Sequence, residues 1–193
     1  MNVGIYIYEQ AEVLDFSGPF EVFSTASRFL QEDEKFNVFL VSEAGNTVAA
    51  RGGFSVNPKY GFHNHPQLDV LIIAGGVHTK ELEKELVIDW IRSKSKNAKL
   101  VASVCTGVFL LAQAGIVVDH SVTTHWEDIP DLRRSYPGLH VKESKRWVAE
   151  ANIVTSAGIS AGIDMSLYLV SKLHSQTLAE KTARQMEFDW AGG

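Results

Sequence analysis

Lys99-Leu100-Val101-Ala102-Ser103-Val104-Cys105-Thr106-Gly107-Val108-Phe109-Leu110-Leu111-Ala112-Gln113-Ala114 joins a nearly continuous apolar strand to an apolar helix with no loop between them. Residues 99–104 are the strand and 106–114 the helix. A strand with no polar alternation is one covered on both faces, as in a parallel sheet flanked by helices. The same pattern recurs at Val70-Leu71-Ile72-Ile73-Ala74, which ends in Gly75-Gly76 and leads to a helical pattern over 81–95, with Leu82, Leu86, Ile88 and Ile91 at helical spacing. Strands are also expected over 3–8, 36–42 and 153–156, and a small hairpin over 48–57 around Gly52-Gly53. Helices are expected over 18–30, 126–136, 162–173 and 178–188, and an extended segment over 141–149 with a turn near 150–152. Strand–helix alternation of this kind predicts an α/β fold with a mainly parallel sheet and helices on both faces. No repeat or linker divides the chain, so residues 1–193 read as one domain.

The 193 residues carry 18 Lys and Arg against 23 Asp and Glu, a net charge of −5. No basic excess is available to neutralise phosphates, so nucleic-acid binding is not expected. A single cysteine excludes an intrachain disulfide framework and a multi-cysteine zinc site. The apolar runs fall short of the ~18–20 residues that span a bilayer, and the N-terminal run breaks at Glu9, reading as a strand and not a signal peptide. Membrane attachment is not expected, and a cytoplasmic location is.

In parallel sheets, ligands gather beyond the carboxyl ends of the strands. Cys105 occupies such an end, on a sharp strand-to-helix turn with small Ser103 and Gly107 two places to either side. That is the requirement of a nucleophile elbow, which predicts a positive φ and, from helix N–H groups, a depressed thiol pKa. A buried structural cysteine is the other reading of the same residue. Gly75 and Gly76 let backbone approach a ligand, forming with the Thr106 N–H an oxyanion-type pocket; a plain turn is the alternative. Asp15, flanked by Leu14 and Phe16, is a desolvated acid/base or else a helix N-cap. Of seven histidines, His125 in Thr123-Thr124-His125-Trp126 best suits a pocket, although a loop histidine fits as well. His63-Asn64-His65 lacks further ligands nearby and reads as a solvated loop.

Taken together, these motifs resemble the ThiJ/PfpI superfamily. The resemblance rests on Leu14-Asp15-Phe16-Ser17-Gly18-Pro19, Ile73-Ala74-Gly75-Gly76, Ser103-Val104-Cys105-Thr106-Gly107, Thr123-Thr124-His125-Trp126 and Ala157-Gly158-Ile159-Ser160-Ala161-Gly162-Ile163-Asp164. It implies a flavodoxin-like three-layer sandwich related to class I glutamine amidotransferases, and a homodimer. Within the superfamily the chain is most similar to isonitrile hydratases and to the effector domains of AraC-type regulators. The peptidase branch carries His directly after the cysteine, where Thr106 stands here. The resemblance implies Cys105 as nucleophile, Asp15 as acid/base, charge binding at Gly75, Gly76 and Thr106, and a pocket lined by His125 and Ile159. The implied chemistry is hydration of an isonitrile, a small-molecule substrate, to an N-substituted formamide without metal or organic cofactor. A stand-alone ligand or redox sensor and a thiol-dependent glyoxalase or deglycase are the competing readings. For a chain of this acidity ending at Gly193, DNA reading is not expected.

Overall fold

The computed structural model describes residues 1–190. Its main sheet has six strands: β1 (Asn2–Tyr6), β2 (Asn37–Val41), β5 (Val70–Ile73), β6 (Leu100–Ser103), β9 (Trp147–Glu150) and β10 (Ile153–Ser156). Their spatial order is β2-β1-β5-β6-β10-β9, parallel throughout except for β9, which runs antiparallel to β10 at one edge. Two minor pairs stand apart, β3 (Val48–Ala49) with β4 (Ser55–Val56), and β7 (Ser121–Val122) with β8 (His140–Val141). The β3–β4 hairpin turns through Gly52 and Gly53, both at positive φ.

Every residue of β5, β6 and β10 is buried, as strands covered on both faces must be. Helices α1 (Val13–Ser27), α6 (Ala161–Leu173) and α7 (Gln176–Gln185) pack together as one layer. Helices α2 (Thr79–Leu82), α3 (Glu85–Ser95) and α4 (Gly107–Gln113) form the other, and α5 (Ile129–Ser135) packs beside β8. This is the three-layer arrangement expected from the sequence. Among the described residues, no helix is long and apolar enough to cross a membrane.

Two elements differ from expectation in ways that matter. Helix α1 begins at Val13, not at 18, and runs through Pro19. Pro19, the seventh of the helix's fifteen residues, lacks the N–H that would reach the Asp15 carbonyl, and the helix continues through it with that one bond missing because the φ of proline suits a helix. Asp15 is therefore inside the first turn and not a cap. The helix expected over 81–95 breaks at Glu83-Lys84, where Lys84 is extended and its ammonium pairs with Glu81 (2.8 Å) and Glu43 (3.2 Å). The break resets the helical phase, and Leu86 is left 53% exposed.

Candidate active site

Four carboxyl-end connections meet at one place: the turns after β1, β5, β6 and β10. The first two are laced together by backbone bonds, Glu12 N–H to Gly75 O (2.9 Å) and Val77 N–H to Gln10 O (3.1 Å). At Gly76, with φ of 137°, an added Cβ would lie 2.4 Å from Gln10 O, so only glycine closes this lacing. Gly75 marks the convergence itself. A Cβ there would lie 2.6 Å from Asp15 Oδ2, 2.7 Å from Thr106 N and 2.8 Å from Cys105 Cβ.

Cys105 has φ of 54°, the left-handed conformation that a nucleophile elbow requires of its cysteine. Its N–H bonds to Ala157 O (3.3 Å), and its carbonyl accepts from the Thr124 hydroxyl (2.9 Å). The residue is 7% exposed, and that surface opens into a cleft of about 490 Å³. Ile159, in the turn after β10, shares the positive φ of 54°. Both it and His125 line the cleft, with Thr106 and Gly76. The His125 ring lies so close to Gly158 that a Cβ there would sit 2.2 Å from it, and its Nδ1 faces Asp128 at 3.4 Å.

Asp15 is fully buried beneath the cleft, with Oδ2 accepting the Gly75 N–H at 3.1 Å. Burial, reinforced by the charge of Glu12, pushes its pKa up to about 7. The Gly75 and Ile159 N–H groups and the Cys105 thiol work the other way. The last two lack full hydrogen-bond geometry, so Oδ1 stands without a partner.

Two expectations need correction. The thiol pKa of Cys105 is raised, not depressed, because burial and the Asp15 charge outweigh the single favourable contact from the Thr106 N–H. Helix α4 starts only at Gly107 and is two turns long, which leaves it little to set against that desolvation. The Gly75 and Gly76 N–H groups are also not open to a ligand. Gly75 donates to Asp15, and Gly76 donates to Thr106 Oγ (2.9 Å), which donates in return to Gly76 O (2.9 Å). Of the three backbone donors expected there, the Thr106 N–H is the one held beside the thiol.

Sequence reasoning missed several cleft residues. Glu12, Arg51, His78, Glu127 and Asp128 all line it. Arg51 faces Glu12 at 3.5 Å from the β3–β4 hairpin, a contact no local pattern announces. His78 packs on Phe109, and desolvation lowers its pKa. Of the metal-like pair at 63–65, His63 is exposed, as a solvated loop residue would be, whereas His65 is otherwise employed: its Nε2 accepts from Trp90 Nε1 (3.1 Å), and its Nδ1 lies 2.7 Å from Pro66 O.

The DJ-1/PfpI family model matches residues 1–172. The chain belongs to the DJ-1/PfpI family. Among relatives of this DJ-1/PfpI chain, isonitrile hydratase of Pseudomonas putida is 32% identical over 189 residues, covering 97% of this chain and 78% of the relative. The HTH-type transcriptional regulator CdhR of Pseudomonas aeruginosa is 29% identical over 173 residues, 90% of this chain, which spans only 51% of the regulator. A ThiJ/PfpI family protein from Pseudomonas syringae superposes with a TM-score of 0.86 at 26% identity, covering 97% of this chain and 75% of that one. The family therefore holds both an enzyme and regulators of similar likeness to this chain.

Proposed function

We propose that the protein hydrates isonitriles to N-substituted formamides, with Cys105 as nucleophile and Asp15 as the proton carrier. The observation carrying this reading is the convergence at Gly75 of a strained, cleft-facing cysteine and a buried carboxyl whose pKa lies near 7. The 32% identical hydratase supports the choice of substrate.

A thiol with a raised pKa does not ionise unaided, and Asp15 answers that need. As sulfur bonds to the terminal carbon of R–N≡C, the carboxylate takes the thiol proton and delivers it to that carbon. The product is the thioimidate R–N=CH–S–Cys105. Water then adds to the same carbon, Asp15 moving one of its protons to nitrogen. Collapse of the adduct breaks the C–S bond, Asp15 carries the hydroxyl proton to the departing sulfur, and R–NH–CHO leaves with the thiol restored. One water is consumed per turnover. The Thr106 N–H is the backbone donor beside the charge that develops on sulfur. A carboxyl titrating near the working pH serves both as base and as acid.

Purified protein supplied separately with a simple alkyl isonitrile, methylglyoxal and a peptide tests the reading. Formamide from the isonitrile, abolished in Cys105→Ala, is the expected result. Consumption of methylglyoxal without formamide would replace the hydratase by a glyoxalase. The likeness to regulators favours a second reading, a ligand-sensing domain, which would bind isonitrile without turning it over.

A further inference from the structure

Among the described residues, the buried side-chain polar atoms without a hydrogen-bond partner are Tyr8 OH, Asp15 Oδ1, Ser95 Oγ and Ser103 Oγ. The first two are complementary, a donor and an acceptor, and the charges of Asp15 and Cys105 both act on the Tyr8 hydroxyl. Tyr8 stands just past the carboxyl end of β1, where its carbonyl accepts the Ala11 N–H (3.0 Å) in the turn that leads into α1 and Asp15. Its side chain is 3% exposed and packs against Tyr6, whose own hydroxyl is already committed to Glu81 (2.6 Å). Burial and the neighbouring charges of Asp15, Glu81 and Cys105 keep the Tyr8 hydroxyl protonated, while Thr106 offers it only a partial contact. Thr106 Oγ is in any case occupied twice over by Gly76.

We propose that Tyr8 is a positioning residue, whose hydroxyl supplies the hydrogen bond that Asp15 Oδ1 lacks once that carboxyl is ionised. The bond holds the carboxylate toward the thiol while it waits for the proton. A phenol donor with no acceptor and a carboxylate oxygen with no donor, both buried, each gain from the link. The inference rests on the pairing of Asp15 with Cys105 proposed above, and it gives the site a residue that never touches substrate.

The groups that bear on this titration come from every adjoining element. Glu12 faces Asp15 from the start of α1, and Cys105 from the β6–α4 turn. Glu81 of α2 faces Tyr8, and Asp128 faces Cys105 from the segment before α5. None of these is removed by Tyr8→Phe, so a change in that variant reports the hydroxyl alone.

The experiment is a carboxyl ¹³C NMR titration of Asp15, assigned by its disappearance in Asp15→Asn. A hydrogen bond to the carboxylate favours ionisation, so Tyr8→Phe should raise the midpoint by about half a pH unit or more. Ser95→Ala and Ser103→Ala, which remove the other two unpartnered hydroxyls, should leave it in place. An unchanged midpoint in folded Tyr8→Phe, or a shift in Ser103→Ala without one in Tyr8→Phe, would overturn the proposal. Should Tyr8→Phe fail to fold, Tyr8→Met removes the same hydroxyl; failure of both would make the residue structural and end the idea. The readout uses no isonitrile. Absence of formamide in the parent would therefore sink the hydratase and leave this test standing.

Discussion

At the scale of single residues, the site depends on Gly75 having no side chain. Gly75→Ala places a carbon within 2.8 Å of Asp15, Thr106 and Cys105 together. A displacement of about 1 Å at reacting groups costs ~10²-fold, so formamide production should fall by at least that much while the folded circular-dichroism spectrum is kept. Asp15 carries a stability signature of its own. Its carboxyl titrates at 3.8 ordinarily and at about 7 when folded, so between these values the folded chain holds a proton the unfolded chain has lost. Stability should fall by about 1.4 kcal/mol per pH unit across that window and level off above it. In urea unfolding from pH 4.5 to 8, Asp15→Asn should lack this slope; equal slopes in the two proteins would mean that Asp15 is not desolvated. Cys105, Asp15 and Gly75 were legible in the sequence because turn chemistry and apolar neighbours are local. The thiol pKa was not, since it depends on a carboxyl ninety positions away in the chain. Nor were the N–H groups of Gly75 and Gly76, whose partners come from α1 and from the start of α4.

At the scale of elements, the elbow works because α4 sits hard against β5. An added Cβ at Gly107 would lie 2.3 Å from Ile73 O, and backbone does not yield as a flexible side chain does. Gly107→Ala should therefore destabilise the protein by about 1–3 kcal/mol or more in chemical unfolding, and lower Cys105 alkylation as the turn shifts. A variant as stable as the parent would show that α4 has room the structure denies it. The apolar strands were readable because burial on both faces leaves no polar residue in β5 and nothing more polar than the small hydroxyls Ser103, Thr155 and Ser156 in β6 and β10. The start of α1 was not. Gly18-Pro19 signals a helix beginning, yet Val13–Ser17 already wind, and this extra turn points Asp15 inward. The pause at Glu83-Lys84 was equally hidden; Lys84 there pairs with Glu81 and with Glu43, a carboxylate from a segment some forty positions away.

For the whole molecule, the strand order β2-β1-β5-β6-β10-β9 reverses direction at β1, where the chain passes first to β2 on one side and later to β5 on the other. Crossovers leaving such a point go to opposite faces and open a crevice between them, which is where ligands bind in sheets of this kind. Asp15 follows β1, Gly75 follows β5, Cys105 follows β6 and Ile159 follows β10, so the topology alone carries four distant segments to one crevice. Parallel pairing was legible from the alternation of strands and helices. The antiparallel edge at β9 is a local hairpin through Ala151 at positive φ, which a turn signal marks without giving the pairing. In the proposed mechanism, a carboxyl buried at this crevice moves the proton of a thiol that does not ionise unaided. The most direct test of that claim is the pH dependence of kcat/KM for formamide formation, in the parent and in Asp15→Asn. The parent should rise with pH through a midpoint near 7, where Asp15 becomes a base, and the variant should be flat and at least ~10²-fold slower. A parent profile without that limb, or an Asp15→Asn variant that reproduces it at the parent rate, would contradict the claim.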